Sequence, residues 1–147
     1  MINNCCQISP LIFILNILFG FYYGYILYAL LFLSLIITSL LHHTYYTEFT
    51  TIIDKISILY VILYGSMLFY QKINIINTIT IDSTHYSSLS SLLSIIIVFT
   101  FLSIFYLYHY GYYNKKYCFD TSIDTAYKYH SMVHYISSFS HLLIIIL

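Results

Sequence analysis

Three histidines in the last stretch of the chain, YHSMVHYISSFSHLLIIIL, have the spacing i, i+4, i+11: His130, His134 and His141. On an α-helix all three project from nearly one stripe, with Ser137 and Ser138 between them. An i, i+4 histidine pair on one helical face supplies two imidazole nitrogens to a common point. Neutral imidazole is a usual ligand of Zn²⁺, and a catalytic zinc takes three protein ligands and leaves a fourth position for water. His43 offers the third imidazole. Asp54 is a candidate general base or a residue that orients a ligand. Ser39, one helical turn before His43, offers a hydroxyl to a water or a developing oxyanion.

These residues need elements that bring them together, and composition says which elements are possible. Of 147 residues, 61% are hydrophobic and 7% charged, with mean hydropathy +0.85. A soluble domain carries about a quarter charged residues, so the chain reads as a single all-α, multi-span membrane domain over residues 1–147. Five lysines balance five acids, and there is no Arg. That excludes the basic footprint of a nucleic-acid binder and gives no polybasic patch for anionic lipid. Cys5, Cys6 and Cys118 form no CxxC pair and so suggest neither a zinc ribbon nor a thioredoxin-type site. Cys5 and Cys6 precede the first span. Small apolar side chains is the favoured reading there, and palmitoylation the other. The N-terminus has no basic n-region, so its apolar run reads as a span and not a cleaved signal.

Five spans follow from the apolar runs. Cys6 to His43 is too long for one, since its helix of roughly 57 Å would face a hydrocarbon core of about 30 Å. Gly20 and Gly24 divide it into span 1, Ser9–Phe21, and span 2, Tyr25–His43. Asp54 opens span 3, which ends at Tyr70. In the loop Gln71–Tyr86, the apolar segment Ile73–Ile81 is too short to cross and reads as re-entrant or interfacial. Span 4 is Ser87–His109, with Ser87, Ser91 and Ser94 on one stripe, and Tyr110–Tyr129 is a loop before span 5. Lys55, Lys115, Lys116 and Lys128 then share one face, with Lys72 alone on the other. The positive-inside rule makes the lysine-rich face, and with it the N-terminus, cytosolic. Tyrosines near the span ends, among them Tyr22, Tyr45, Tyr108 and Tyr112, read as an interfacial aromatic belt.

This topology sets His42, His43, Asp54, His130 and His134 at one membrane depth, on the cytosolic side. The ordered set SxxxH at Ser39–His43, Asp54 opening the next span, and HxxxH at His130–His134 resembles the CREST superfamily. That superfamily includes alkaline ceramidases, the adiponectin and progestin receptor family, haemolysin-III-like proteins and lipid-remodelling factors of the GPI pathway. His141 echoes the HxxxHxxxxxxH of the receptor branch. The resemblance covers these short stretches and the general topology. It implies a zinc site at the cytosolic ends of the spans and hydrolysis of a lipid amide or ester. It also implies seven spans, with three between the Asp helix and the HxxxH helix, where this chain has one. Parity is kept, so the ligands still share a face.

The expectation is a zinc-dependent membrane lipid hydrolase, with zinc on His43, His130 and His134 and with Asp54 and Ser39 in the chemistry. Membrane lipid is the substrate pool. The rival readings are a bis-histidine haem bundle, a small non-catalytic multi-pass protein, and a metal or proton conduit. The conduit would need ionisable groups through the membrane depth, and spans 1 and 4 offer almost none inside. His42, His85 and His109 read as interfacial. Asp54 reads equally as a helix cap. Ser39 also reads as a small packing residue. For His141, a hydrogen bond to a neighbouring Ser is favoured over lining a cavity.

Overall fold

The computed structural model describes the backbone of residues 8–79 and 84–147 and the side chains of residues 8–76 and 88–147. Cys5, Cys6, Ile81 at the end of the Ile73–Ile81 segment, Asp82, and the side chains of His85 and Ser87 lie outside them. The described residues are all-helical, with no strand.

A 3-10 turn, Ser9–Phe13, with Pro10 in its first positions, runs into α1, Ile14–Tyr22. Pro fits there because the first helical N–H groups have no intrahelical partner to lose. The helix stops as the glycines predict. Gly24 takes φ +80°, Tyr25 N–H donates to Gly20 O at 2.7 Å, and Gly24 N–H to Phe21 O at 3.1 Å. This is a Schellman motif, which needs a residue without Cβ at its left-handed position. The chain turns back at once into α2, Ile26–Thr44, and Gly20 lets the two helices close onto Ala29.

α3, Glu48–Ile79, begins earlier and ends later than hydropathy suggests. Thr47 sits just before it. Thr50 N–H donates to Thr47 Oγ1, and Thr47 N–H to Thr50 Oγ1, both at 3.1 Å. That reciprocal pair works as a capping box with Thr at the position where Glu or Gln is usual. Asp54 is therefore not a cap. It lies nearly two turns inside α3 and is 8% exposed. The segment from Ile73 to Ile79 continues the same helix and is not a separate re-entrant piece.

α4, Thr84–Phe105, continues through a π-helical turn, Tyr106–Tyr110, into the short α5, Gly111–Asn114. A 3-10 turn at Tyr117–Phe119 leads to α6, Ile123–Ile146, which starts two turns before His130. The expected loops Gln71–Tyr86 and Tyr110–Tyr129 are thus largely helical.

The distribution of polarity is the reverse of a soluble protein's. Leu30, Leu33 and Ile37 on α2, Leu59 and Leu63 on α3, and Ile95, Phe99 and Leu102 on α4 are exposed. Asn16, Ser39, Asp54, Thr100, Ser138, Ser140 and His141 are buried. Exposed apolar faces of this extent suit contact with hydrocarbon. Among the described residues, three stretches are long and apolar enough to cross a membrane: Ile26–Thr44, Glu48–Ile76 and Ser88–Phe119. The helix Ser9–Tyr22 is apolar but shorter.

The core lies where α1, α2, α3 and α6 meet, around Phe13, Tyr28, Phe32, Val61 and Ile144. Its polar groups are paired across helices. Asn16 Nδ2 donates to Ser138 O at 2.9 Å, and the Ser138 hydroxyl donates back to Asn16 Oδ1. Thr100 on α4 donates to Ser140 on α6 at 2.8 Å. In hydrocarbon such pairs hold helices together because apolar faces gain nothing by leaving lipid.

Candidate functional site

His43 lies in the last turn of α2, and His130 and His134 lie on one face of α6. Folding brings the three rings together. Centroids are 5.1 Å apart for His43 and His130, 5.8 Å for His43 and His134, and 4.9 Å for His130 and His134. Each offers one ring nitrogen, and these lie within 4.8 Å of one another. A tetrahedral zinc with bonds of about 2.0–2.1 Å sets ligand nitrogens roughly 3.4 Å apart, so small ring rotations would close the set on an ion. His134 is also held from behind. Its Nδ1 is 2.8 Å from the hydroxyl of Ser9, in the first turn of the chain's helical part. A partner of this kind fixes the tautomer and orientation of a metal-binding imidazole.

Asp54 on α3 and Ser39 on α2 face the same interior. The hydroxyls of Thr38 and Ser39 lie near the Asp54 carboxyl, whose Oδ1 is buried without a hydrogen-bond partner among the described residues. Ser39, which the sequence reading assigns to a water or an oxyanion, lines the same cavity as this carboxylate.

A cavity of about 360 Å³ is lined by Ser39, Asp54, His130 and His134, with His43 just outside its wall. His42 and Tyr46 stand at one end. Ser39, Asp54, His130 and His134 line the middle, and Ser137 and His141 the far end. The volume lies within the usual range for small-ligand sites. Tyr108 and Tyr112, expected in an interfacial belt, line it as well. The π-helical turn carries Tyr108, and such turns are frequent at functional sites. Beside it, a wider apolar groove of about 720 Å³ opens between α3 and α4, with Ile58, Ile62, Phe101 and Val133 common to both.

Other histidines divide differently. His42 packs against Tyr46 with their rings tilted by 43°, and its Nδ1 is 3.3 Å from the Thr51 hydroxyl. His109 is exposed and stacks on Phe105. His141 is bonded through Nδ1 to the Tyr28 hydroxyl and lines the cavity too, so its partner is a tyrosine from α2 and not a neighbouring serine. Sequence reasoning missed Ser9, Tyr28 and Asn16. Asn16, in the run LIFILNILF, carried a signal, because a polar side chain within an apolar span seeks an interior partner. Ser9 and Tyr28 carried none, since both residue types are common in this chain.

No family model, no curated protein and no solved structure matches the chain.

Proposed function

We propose that the protein is a zinc-dependent hydrolase of a lipid amide or ester bond, embedded in the membrane by five spans with its site toward the cytosol. One observation carries the reading: three imidazoles from two helices converge, and two of them, His130 and His134, line one cavity with the buried carboxylate of Asp54. The order SxxxH, Asp, HxxxH and its likeness to the CREST superfamily support it.

His43, His130 and His134 would hold the ion, a donor set of three neutral nitrogens that leaves a position open. When bound, zinc supplies Lewis acidity and lowers the pKa of water to about 7. His134 is steadied by Ser9, which limits how far its ring can turn. Asp54 acts as the general base and takes the proton of the attacking water. Ser39 lies beside its carboxyl in the same cavity and would steady the water or a developing oxyanion. These groups are set among apolar side chains such as Leu35, Val61 and Phe101, where polar interactions are stronger than in water. Lipid is the natural substrate, because the exposed faces of α2, α3 and α4 are apolar. α1 and α6 complete the five spans. α1 is short, and α6 turns a polar stripe inward.

The haem reading is disfavoured by the same geometry. Rings 4.9 to 5.8 Å apart in edge contact leave no flat slot for a porphyrin.

The test is zinc and iron content of detergent-purified protein, prepared without chelators, beside a His130→Ala, His134→Ala double variant. About one zinc per chain in the wild type and none in the variant is the expected result. Zinc absent from both, or a Soret band in the wild type, overturns the reading.

A further inference from the structure

The far end of the cavity carries a polar feature that the chemistry above does not use. Below His134 on α6, the cavity wall is formed by Ser137 and then by His141, which is about 10 Å away at 1.5 Å per residue. The wall opposite is apolar, with Leu35, Val61 and Phe101. His141 is 1% exposed, and the rings of Phe32 and Phe101 stand edge-on to it. Its Nδ1 pairs with the Tyr28 hydroxyl. Gly65 on α3 makes room for that pair: a Cβ there would lie 2.9 Å from Nδ1 and closer still to the tyrosine oxygen. A phenol O–H donating to Nδ1 leaves the imidazole proton on Nε2. One N–H donor then remains for whatever fills this end.

We propose that His141, set by Tyr28, is a specificity-determining residue that donates to an oxygen carried part-way along a lipid chain, so that the preferred ligand is a hydroxylated acyl chain. The proposal rests on the zinc-hydrolase reading only for where the carbonyl sits, at the histidine triad. The Ser137 hydroxyl, on the same face, is a second partner for that oxygen. A plain alkyl chain displaces water from this end and offers the imidazole nothing in return. Sites built to bond a ligand oxygen reject the analogue that lacks it for this reason.

The experiment measures binding of stearate and of a mid-chain hydroxystearate to the full chain in lipid nanodiscs, with zinc content recorded in parallel. The wild type should favour the hydroxy acid about tenfold, the effect of one added hydrogen bond. In His141→Phe the ratio should fall to about one, in part because stearate binds better, and in Tyr28→Phe, where the imidazole loses its fixed tautomer, the ratio should fall part of the way, with zinc content unchanged in both. Tyr28→Phe keeps the ring in place and decides the matter alone if His141→Phe does not fold. Equal affinities in the wild type, or a preference undiminished in Tyr28→Phe, would overturn the proposal. A zinc-free wild type that still prefers the hydroxy acid would sink the hydrolase reading and leave this one standing.

Discussion

One helix, α6, presents the same residue type in two settings. At His130 and His134 imidazole faces imidazole, with His43 completing the group. At His141 the imidazole faces a phenol, and aromatic rings from α2 and α4 close around it. Three converging imidazoles concentrate lone pairs at one point, which a cation satisfies and a neutral side chain does not. A single imidazole with a tyrosine partner is largely satisfied already. Ring identity and helical spacing are the same in both places. The partner that the rest of the fold delivers sets them apart.

The comparison is broken most sharply by truncating each half in turn. His134→Ala should abolish zinc binding and lower the unfolding temperature in detergent about as far as stripping zinc from the wild type does. His141→Ala should act on the fold instead. It leaves the buried Tyr28 hydroxyl without its partner and opens a void, at a cost of about 2–4 kcal/mol, with zinc retained. Zinc content and unfolding temperature, measured on both variants, give the four values needed. If both variants lose zinc, the two settings are one site and the distinction fails.

Next in size is Asp54→Asn. The amide keeps the shape and the reach toward Thr38 and Ser39 but cannot take a proton. Hydrolysis should fall about 10²–10⁴-fold with zinc content unchanged. An equal fall in zinc would make Asp54 part of the ion's support and not the base.

How much of this was legible in the sequence follows from the same contrast. The convergence of His43 with His130 and His134 follows from helical spacing and from the two expected spans between them, an even number that returns the chain to the same face, and both survive errors in helix ends. The ends themselves were misjudged. The polar run HHTYYTEFTT reads as a loop by hydropathy, yet Thr47 and Thr50 cap a helix that begins at Glu48 and carries Asp54 into the interior. Cap chemistry, not apolarity, held that signal. The partners of the imidazoles were not legible, because Ser9 and Tyr28 are more than a hundred residues from the histidines they meet. Only the packing of α1 and α2 on α6 chooses them among many serines and tyrosines.

Ser9→Ala sharpens the comparison further. It removes the group behind His134 and leaves all three rings. Loss of such an orienting hydrogen bond weakens metal affinity about 10–100-fold, so zinc should still bind but be stripped at lower chelator concentration. The Tyr28–His141 end, with no part in holding the ion, should show no such change in Tyr28→Phe. A chelator titration of both variants against wild type reads this directly.

The smallest effect concerns what anchors the far end of α6. Lys72 on α3 reaches across the bundle, and its ammonium donates to the Ile145 carbonyl at 2.6 Å while standing 5.0 Å from the centre of the Tyr25 ring. A cation there satisfies one of the carbonyls left over at a helix C-terminus and suits the negative end of the helix dipole. Lys72→Met keeps the length of the side chain and removes the charge. It should destabilise the protein by about 1 kcal/mol and speed hydrogen exchange in the last turn of α6, Leu143 to Leu147. Zinc content should stay at the wild-type value, because this contact lies at the end of α6 remote from His130 and His134. If zinc is lost as well, the two ends of α6 are coupled along the helix, and the triad depends on the packing that secures His141.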